Sequence, residues 1–250
     1  MTMRPLRLLA LGAAAYAAFL LATLPAAVVA PRLPAATGGQ ARLANAAGTI
    51  WNGSARLAIT ARGLALTLDE VRWRFLPSRL LAGRAAFAVE TRLGELRMQA
   101  EASRTPLAWR VDELRGGGDA SALAGLLPLA AAWQPAGTLA FEAPALAWDG
   151  ERATGSATAE WRDAALALSA ARPLGTWRVQ ASAEGAAVKF SLATLKGPLR
   201  LAGNGSAPLA GRISFSGEAR AEPGREKELE SLLALLGPRR ADGAHAVEVR

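Results

Sequence analysis

Leu64-Ala65-Leu66-Thr67-Leu68-Asp69-Glu70-Val71-Arg72-Trp73-Arg74-Phe75 alternates apolar and polar residues almost throughout. Leu64, Leu66 and Leu68 point one way while Ala65, Thr67 and Asp69 point the other, and Val71, Trp73 and Phe75 then alternate with Arg72 and Arg74. A period of two belongs to a strand with one wet face, because successive side chains leave opposite sides of a pleated sheet. The pattern holds outward from this stretch. Leu96, Met98 and Ala100 alternate with Glu95, Arg97, Gln99 and Glu101, and the alternation returns at Leu139/Phe141, Ala159/Trp161, Trp177/Val179, Val188/Phe190/Leu192 and Ile213/Phe215. These read as half-buried antiparallel strands. They recur every 10 to 15 residues or so with Gly, Pro or Asn-Gly between them, the spacing of a meander rather than of βαβ units.

Asn52-Gly53 and Asn204-Gly205 read as two-residue hairpin turns, which also explains their fit to Asn-x-Ser acceptor patterns through Ser54 and Ser206. Two short helices are expected near 119–128 and 223–236. Asp119 can cap the first after the freedom of Gly116-Gly117-Gly118, with Leu123, Leu126 and Leu127 on one face and Pro128 limiting it. The second starts at Pro223, sets Leu229, Leu232, Leu233 and Leu236 at helical spacing, carries Glu226, Glu228 and Glu230 where they complement the dipole, and stops at Gly237-Pro238. The leucine stripe is read as packing against the sheet.

Arg4 and Arg7 precede an uncharged stretch from Leu8 to Val29, 22 residues long. As helix it would reach about 33 Å, enough for a hydrocarbon core of about 30 Å. Two arginines and the amino terminus on one side, against Arg32 after the span, favour a cytoplasmic N-terminus. A cleaved signal peptide competes through Val28-Val29-Ala30, but Pro31 makes a poor cleavage site and the run exceeds a usual h-region. The expected organisation is therefore mainly β: an N-terminal transmembrane helix in residues 1–30, a linker in 31–40, and an antiparallel β-meander domain with a curved or groove-like sheet in 41–250. Gly48-Thr49-Ile50 and Gly137-Thr138-Leu139, followed by Trp73 and Trp148, hint at two similar halves, about 41–134 and 135–250.

The composition narrows the chemistry. Hydrophobic residues make up 51% of the 250, enough for a core, but aromatics only 6%, so the interior should be thin and a deep pocket is not expected. The basic residues are 26 Arg and 3 Lys, occurring singly on what reads as a solvated strand face, with anionic lipid headgroups the lesser reading. Nucleic acid is not an expected partner, because neither a basic stripe nor stacking aromatics are present. There is no cysteine. His245 is the sole histidine and Tyr16 the sole tyrosine, the latter in the anchor. A Ser-His-Asp system would need His245, which stands near the C-terminus without a nucleophile-elbow motif. Asp69-Glu70 and Asp112-Glu113 are adjacent strand residues that should face opposite sides. Gly116-Gly117-Gly118 is no phosphate loop, since no Lys-Ser/Thr follows. No catalytic, cofactor-binding or metal-ligating residue is assigned, no cofactor is expected, and a non-enzymatic scaffold is the reading.

Several segments in order carry a family resemblance. They are Leu24-Pro25-Ala26, Gly48-Thr49-Ile50-Trp51-Asn52-Gly53, Leu68 to Phe75 running into Pro77-Ser78-Arg79-Leu80-Leu81-Ala82-Gly83, Pro135-Ala136-Gly137-Thr138-Leu139, Gly197 to Gly203, and Leu232-Leu233-Ala234-Leu235-Leu236-Gly237. In this order and spacing they resemble the type II secretion system protein N family, also called general secretion pathway protein N, over nearly the whole chain. The resemblance implies an accessory subunit of the bacterial inner membrane, single-pass with most of the chain periplasmic, that supports export of folded proteins across the outer membrane. Its partners would be other type II secretion subunits and, through the N-terminal helix, the lipid bilayer. It supplies no catalytic residues. The alternative is similarity to AsmA-like periplasmic β-groove proteins in lipid transport or outer-membrane assembly, which the many Ala positions disfavour.

Overall fold

The computed structural model describes residues 3–61, 64–125 and 128–249. The expected helix positions Leu126 and Leu127 lie outside the described residues, as do the side chains of Arg4, Arg7 and Leu64. The chain divides into two compact units, Met1–Phe75 and Leu76–Arg250.

The first unit opens with α1, Met3–Ala22. It was expected to run on to Val29, but Thr23 folds its hydroxyl back onto the Phe19 carbonyl at 2.8 Å and Pro25 is extended. A proline has no N–H with which to continue the ladder, so the apolar stretch is divided. Val28 and Val29 fall in a separate turn, α2 (Ala26–Val29). No helix among the described residues is long and apolar enough to cross a membrane. The stretch 31–40, expected as a linker, is also partly ordered: Ala30–Arg32 is a 3-10 turn and Leu33–Ala36 a helical turn, α3. Three antiparallel strands follow, β1 (Ala41–Gly48), β2 (Asn52–Ala61) and β3 (Leu64–Phe75). Asn52-Gly53 is not the hairpin turn; both residues open β2. The reversal is made just before them, with the Thr49 N–H donating to the Asn52 carbonyl and the Thr49 hydroxyl accepting from the N–H groups of Trp51 and Asn52. Leu68 and Val71, three residues apart, are both buried because the register slips between Ala55 and Leu57 and a bulge absorbs the extra residue.

The second unit is a ten-stranded meander: β4 (Ala85–Leu93), β5 (Leu96–Arg104), β6 (Trp109–Asp119), β7 (Ala136–Trp148), β8 (Ala153–Ala165), β9 (Gly175–Gly185), β10 (Ala187–Lys196), β11 (Leu199–Pro208), β12 (Ser214–Ala221) and β13 (His245–Val249). Each pairs antiparallel with its sequence neighbour. Asn204-Gly205, expected as a turn, lies inside β11, opposite Ser191 and Phe190. Gly116-Gly117-Gly118 likewise belongs to β6, paired with Phe141, Ala140 and Leu139. The reason is steric and common to both sites: a Cβ on Gly205 or Gly116 would run into the ring of Phe190 or Phe141, so the phenyl lies flat over a bare backbone. Turn chemistry and aromatic coverage of a strand both call for glycine, and alternation alone does not separate them.

The helix expected near 119–128 is a 3-10 segment, Ala120–Gly125, and Pro128 opens a further short helix, α4 (Pro128–Trp133), instead of ending one. Proline suits a first helical position, where its missing N–H costs nothing. Asp119 does act at the start, accepting from the Ser121 N–H at 2.8 Å; the Ser121 bonds hold its carboxyl below the usual range. The second helix is α5, Glu226–Leu236. It starts three residues after Pro223, which sits in a turn closed by Arg225 N–H onto the Glu222 carbonyl. Leu229, Leu232 and Leu233 are buried against Leu174, Trp177, Leu199 and Ala219. Each fully buried leucine contributes about 2 kcal/mol by removal from water, so this end of the sheet is the main core of the unit.

Candidate functional site

The side chains first considered for chemistry are scattered. His245 pairs through its backbone with Ala219, and its Nδ1 lies 2.8 Å from the Gly237 carbonyl oxygen, so the half-buried ring clamps the end of α5 to β13. Ser103 is 1% exposed and its hydroxyl has no protein partner. It stands on β5, eight strands from β13, about 38 Å along the sheet at roughly 4.8 Å per strand, so His245 cannot serve it as a base. Tyr16 lies on α1, 64% exposed.

The two carboxylate pairs do not follow plain alternation. The register between β2 and β3 passes from Leu57↔Leu68 to Ala55↔Val71, placing Asp69 and Glu70 at the bulge. Glu113 has a positive φ of 54° where β5 and β6 slip register, beside Asp112. Glu70 binds Arg72 at 2.7 Å, and Asp112 lies 3.5 Å from both Arg84 and Arg110. Glu70 and Asp112 thus sit in ion pairs. Among the described residues no group of three or more His, Cys, Asp or Glu is placed to hold a metal ion.

What the register does assemble is a two-sided surface. Met98, Gly116, Phe141, Ala159, Val179, Leu192, Gly203, Gly217 and Val247 form one row across β5 to β13. The next row is Gln99, Arg115, Glu142, Thr158, Gln180, Ser191, Asn204, Ser216 and Glu248, on the opposite face. Beyond the part covered by α5, the stacked rings of Phe190 and Phe215, 6.1 Å apart and 3° from parallel, line an open hollow of about 730 Å³. The alternation foretold both faces; the hollow, where Gly205 lies beneath the Phe190 ring, was not foreseen.

The polar face is cross-braced. Glu160 accepts two N–H groups from Arg178 on β9 and two from Arg162, each at 2.7–2.9 Å. Arg178, then Arg162, holds its carboxyl below the ordinary carboxylate range. A group with a depressed folded-state pKa contributes stability that is complete above its unfolded pKa and is lost as pH falls through the folded value. Glu160→Gln should therefore melt below the parent at neutral pH, and that gap should close as pH is lowered from about 5 through the acid range. Thermal melts of both proteins across that range check this; a gap independent of pH would show that the carboxylate charge is not what braces β8 to β9.

Residues 39–248 match the family model for the type II secretion system (T2SS), protein N. The chain belongs to the type II secretion system protein N family. No curated protein and no solved structure matches it. The protein N match runs from before β1 into β13, includes α5, and leaves α1, α2 and α3 outside. Membership connects the chain in general to type II secretion.

Proposed function

We propose that this chain is a non-catalytic accessory subunit that holds other type II secretion subunits through its sheet surface, tethered by α1 to the inner membrane with its N-terminus cytoplasmic and both sheet units periplasmic. The observation that carries the reading is the half-buried apolar face around Phe190 and Phe215, a surface broad and open enough for a partner protein. The tether is supported by α1 itself. Its uncharged part, Leu8–Ala22, is 15 residues or about 22 Å of helix, and Leu8, Leu9 and Leu11 are 69%, 72% and 68% exposed. A helix that is apolar all round belongs in a non-aqueous surround.

Secretion of a folded substrate by cells carrying full-length variants tests the scaffold. His245→Ala should leave secretion unchanged, whereas Phe215→Glu should impair it while the protein still accumulates. Ile213 is unsuitable for this purpose, being 57% exposed and outside β12. Crosslinking from the Phe190–Phe215 hollow in the intact envelope should recover secretion subunits. Recovery of lipid instead would move the assignment to lipid transport, a second reading that the open hollow with its Phe190 and Phe215 rings favours. Loss of secretion in a folded His245→Ala protein would defeat the non-catalytic reading.

A further inference from the structure

The turn between β1 and β2 is bonded to the end of α1. The Trp51 indole N–H donates to the Leu21 carbonyl at 2.7 Å, the Ile50 N–H to the Leu24 carbonyl at 3.0 Å, and Pro25 and Thr49 form an antiparallel bridge. The turn is equally fixed to its own sheet: the Trp73 indole N–H donates to the Ile50 carbonyl at 3.1 Å, and the rings of Trp51 and Phe75 meet at 5.0 Å. A helix end leaves carbonyls without intrahelical donors, and in an apolar surround each needs one from elsewhere. Trp51 supplies one such donor, which fixes the level of the turn to the last turn of α1. There Phe19, Leu20 and Leu21 are 62%, 49% and 54% exposed.

The charge around this junction is mainly basic, with Arg72 bonded to Glu70 at 2.7 Å and itself 62% exposed at the side chain. Residues 1–68 contain six arginines and neither Asp nor Glu. Arg56 is opposite Ala44, two residues from Arg42; Arg72 is opposite Ser54, two residues from Arg56; and Arg74 is opposite Asn52. Arg42, Arg56, Arg72 and Arg74 therefore share one face of the three-stranded sheet, with Asp69 and Glu70 the acids of this unit, and Arg74 lies beside the turn.

We propose that the Thr49–Gly53 turn is a membrane seat: Trp51 occupies the headgroup interface of the bilayer that holds α1, and Arg72 and Arg74 meet anionic phospholipid there. The proposal rests on the anchor reading of α1. If Leu20 and Leu21 lie in hydrocarbon, a turn bonded to the Leu21 carbonyl stands at the boundary, where an indole suits both the apolar and the wet side. Basic side chains near an anionic surface are drawn to it, so two of them bias how the sheet stands on the membrane.

The chain has no cysteine, so one introduced thiol is a unique attachment point. Full-length protein carrying an environment-sensitive dye at Asn52→Cys, or at Ala14→Cys within α1, is reconstituted into phosphatidylcholine vesicles with or without phosphatidylglycerol, and quenching by spin-labelled lipid is read. Both dyes should be quenched, and the position-52 dye more strongly with phosphatidylglycerol. Trp51→Phe, which keeps a ring and deletes the donor, should reduce quenching at 52 and leave 14 unchanged. Arg72→Gln with Arg74→Gln should abolish the dependence on phosphatidylglycerol. Quenching at 14 without quenching at 52 overturns the seat and keeps the anchor. Absence of quenching at both positions overturns both. Quenching at 52 that is indifferent to phosphatidylglycerol overturns the role of the two arginines.

Discussion

Leu229→Asp should unfold the end of the sheet that α5 covers. Leu229 is fully buried, 0% exposed, and its neighbours Leu174 and Leu199 are 0% and 2% exposed, so no route to water opens without separating α5 from the strands. Truncation to alanine alone should cost about 3–5 kcal/mol through lost burial and the cavity left behind. A carboxylate at the same place adds a desolvation cost of several kcal/mol, because the cluster around it offers no positive partner. The sum rivals the whole stability of an ordinary domain, about 5–15 kcal/mol. Circular dichroism melts, with proteolysis at the α5–β13 connection, check it. A Leu229→Asp protein that kept the parent's melting temperature would mean that the α5 contacts are not the core of the second unit.

The second large effect is expected at Gly53. A Cβ there would stand 2.6 Å from the Ala47 carbonyl oxygen, 2.8 Å from the Thr49 carbonyl oxygen and 2.6 Å from the Trp73 ring. Main-chain oxygens cannot step aside as a flexible side chain can, so Gly53→Val must push β1 from β2 or lift Trp73 off the sheet. Overpacking of this kind costs about 1–3 kcal/mol, and here it also strains the hydrogen bond from Trp73 to Ile50. By contrast Gly150→Ala, at a turn where a Cβ meets nothing within 4 Å, carries only the cost of its positive φ of 109°. A chemical-denaturation comparison of the two variants separates crowding from backbone strain. Equal, small losses would show that the first unit yields at the β1–β2 pairing.

Trp73 and Leu229 show how unevenly the sequence reported the structure. Periodicity located the strands and the buried stripe of α5, because burial of alternate or helically spaced residues leaves a signal in the order of the letters. It failed at glycine. Asn52-Gly53 and Asn204-Gly205 carry the letters of a turn, yet each glycine lies beneath an aromatic ring contributed by the neighbouring strand, Trp73 and Phe190 respectively, and that demand comes from a residue 20 or 15 positions away. Bulges were missed for a related reason. Leu68 and Val71 break the period by one, which reads as noise until the partner strand shows the slip. Trp51 was visible as part of a motif, but its role needed the Leu21 carbonyl, 30 residues earlier. That Glu160 braces β8 to β9 and His245 holds the end of α5 was not legible, because the partners of both lie on other elements.

The order of the strands has a kinetic meaning. Within each unit every strand pairs with the one before it and the one after it in the chain. Most contacts therefore close over a single hairpin, and the entropy of closing such short loops is small. A polypeptide delivered amino-terminus first finds each new strand's template already standing, and the sheet can lengthen like a zipper. The longest pauses come at residues 120–135 and 222–244, and in both gaps the intervening chain coils into helix, occupying itself locally until the next strand arrives.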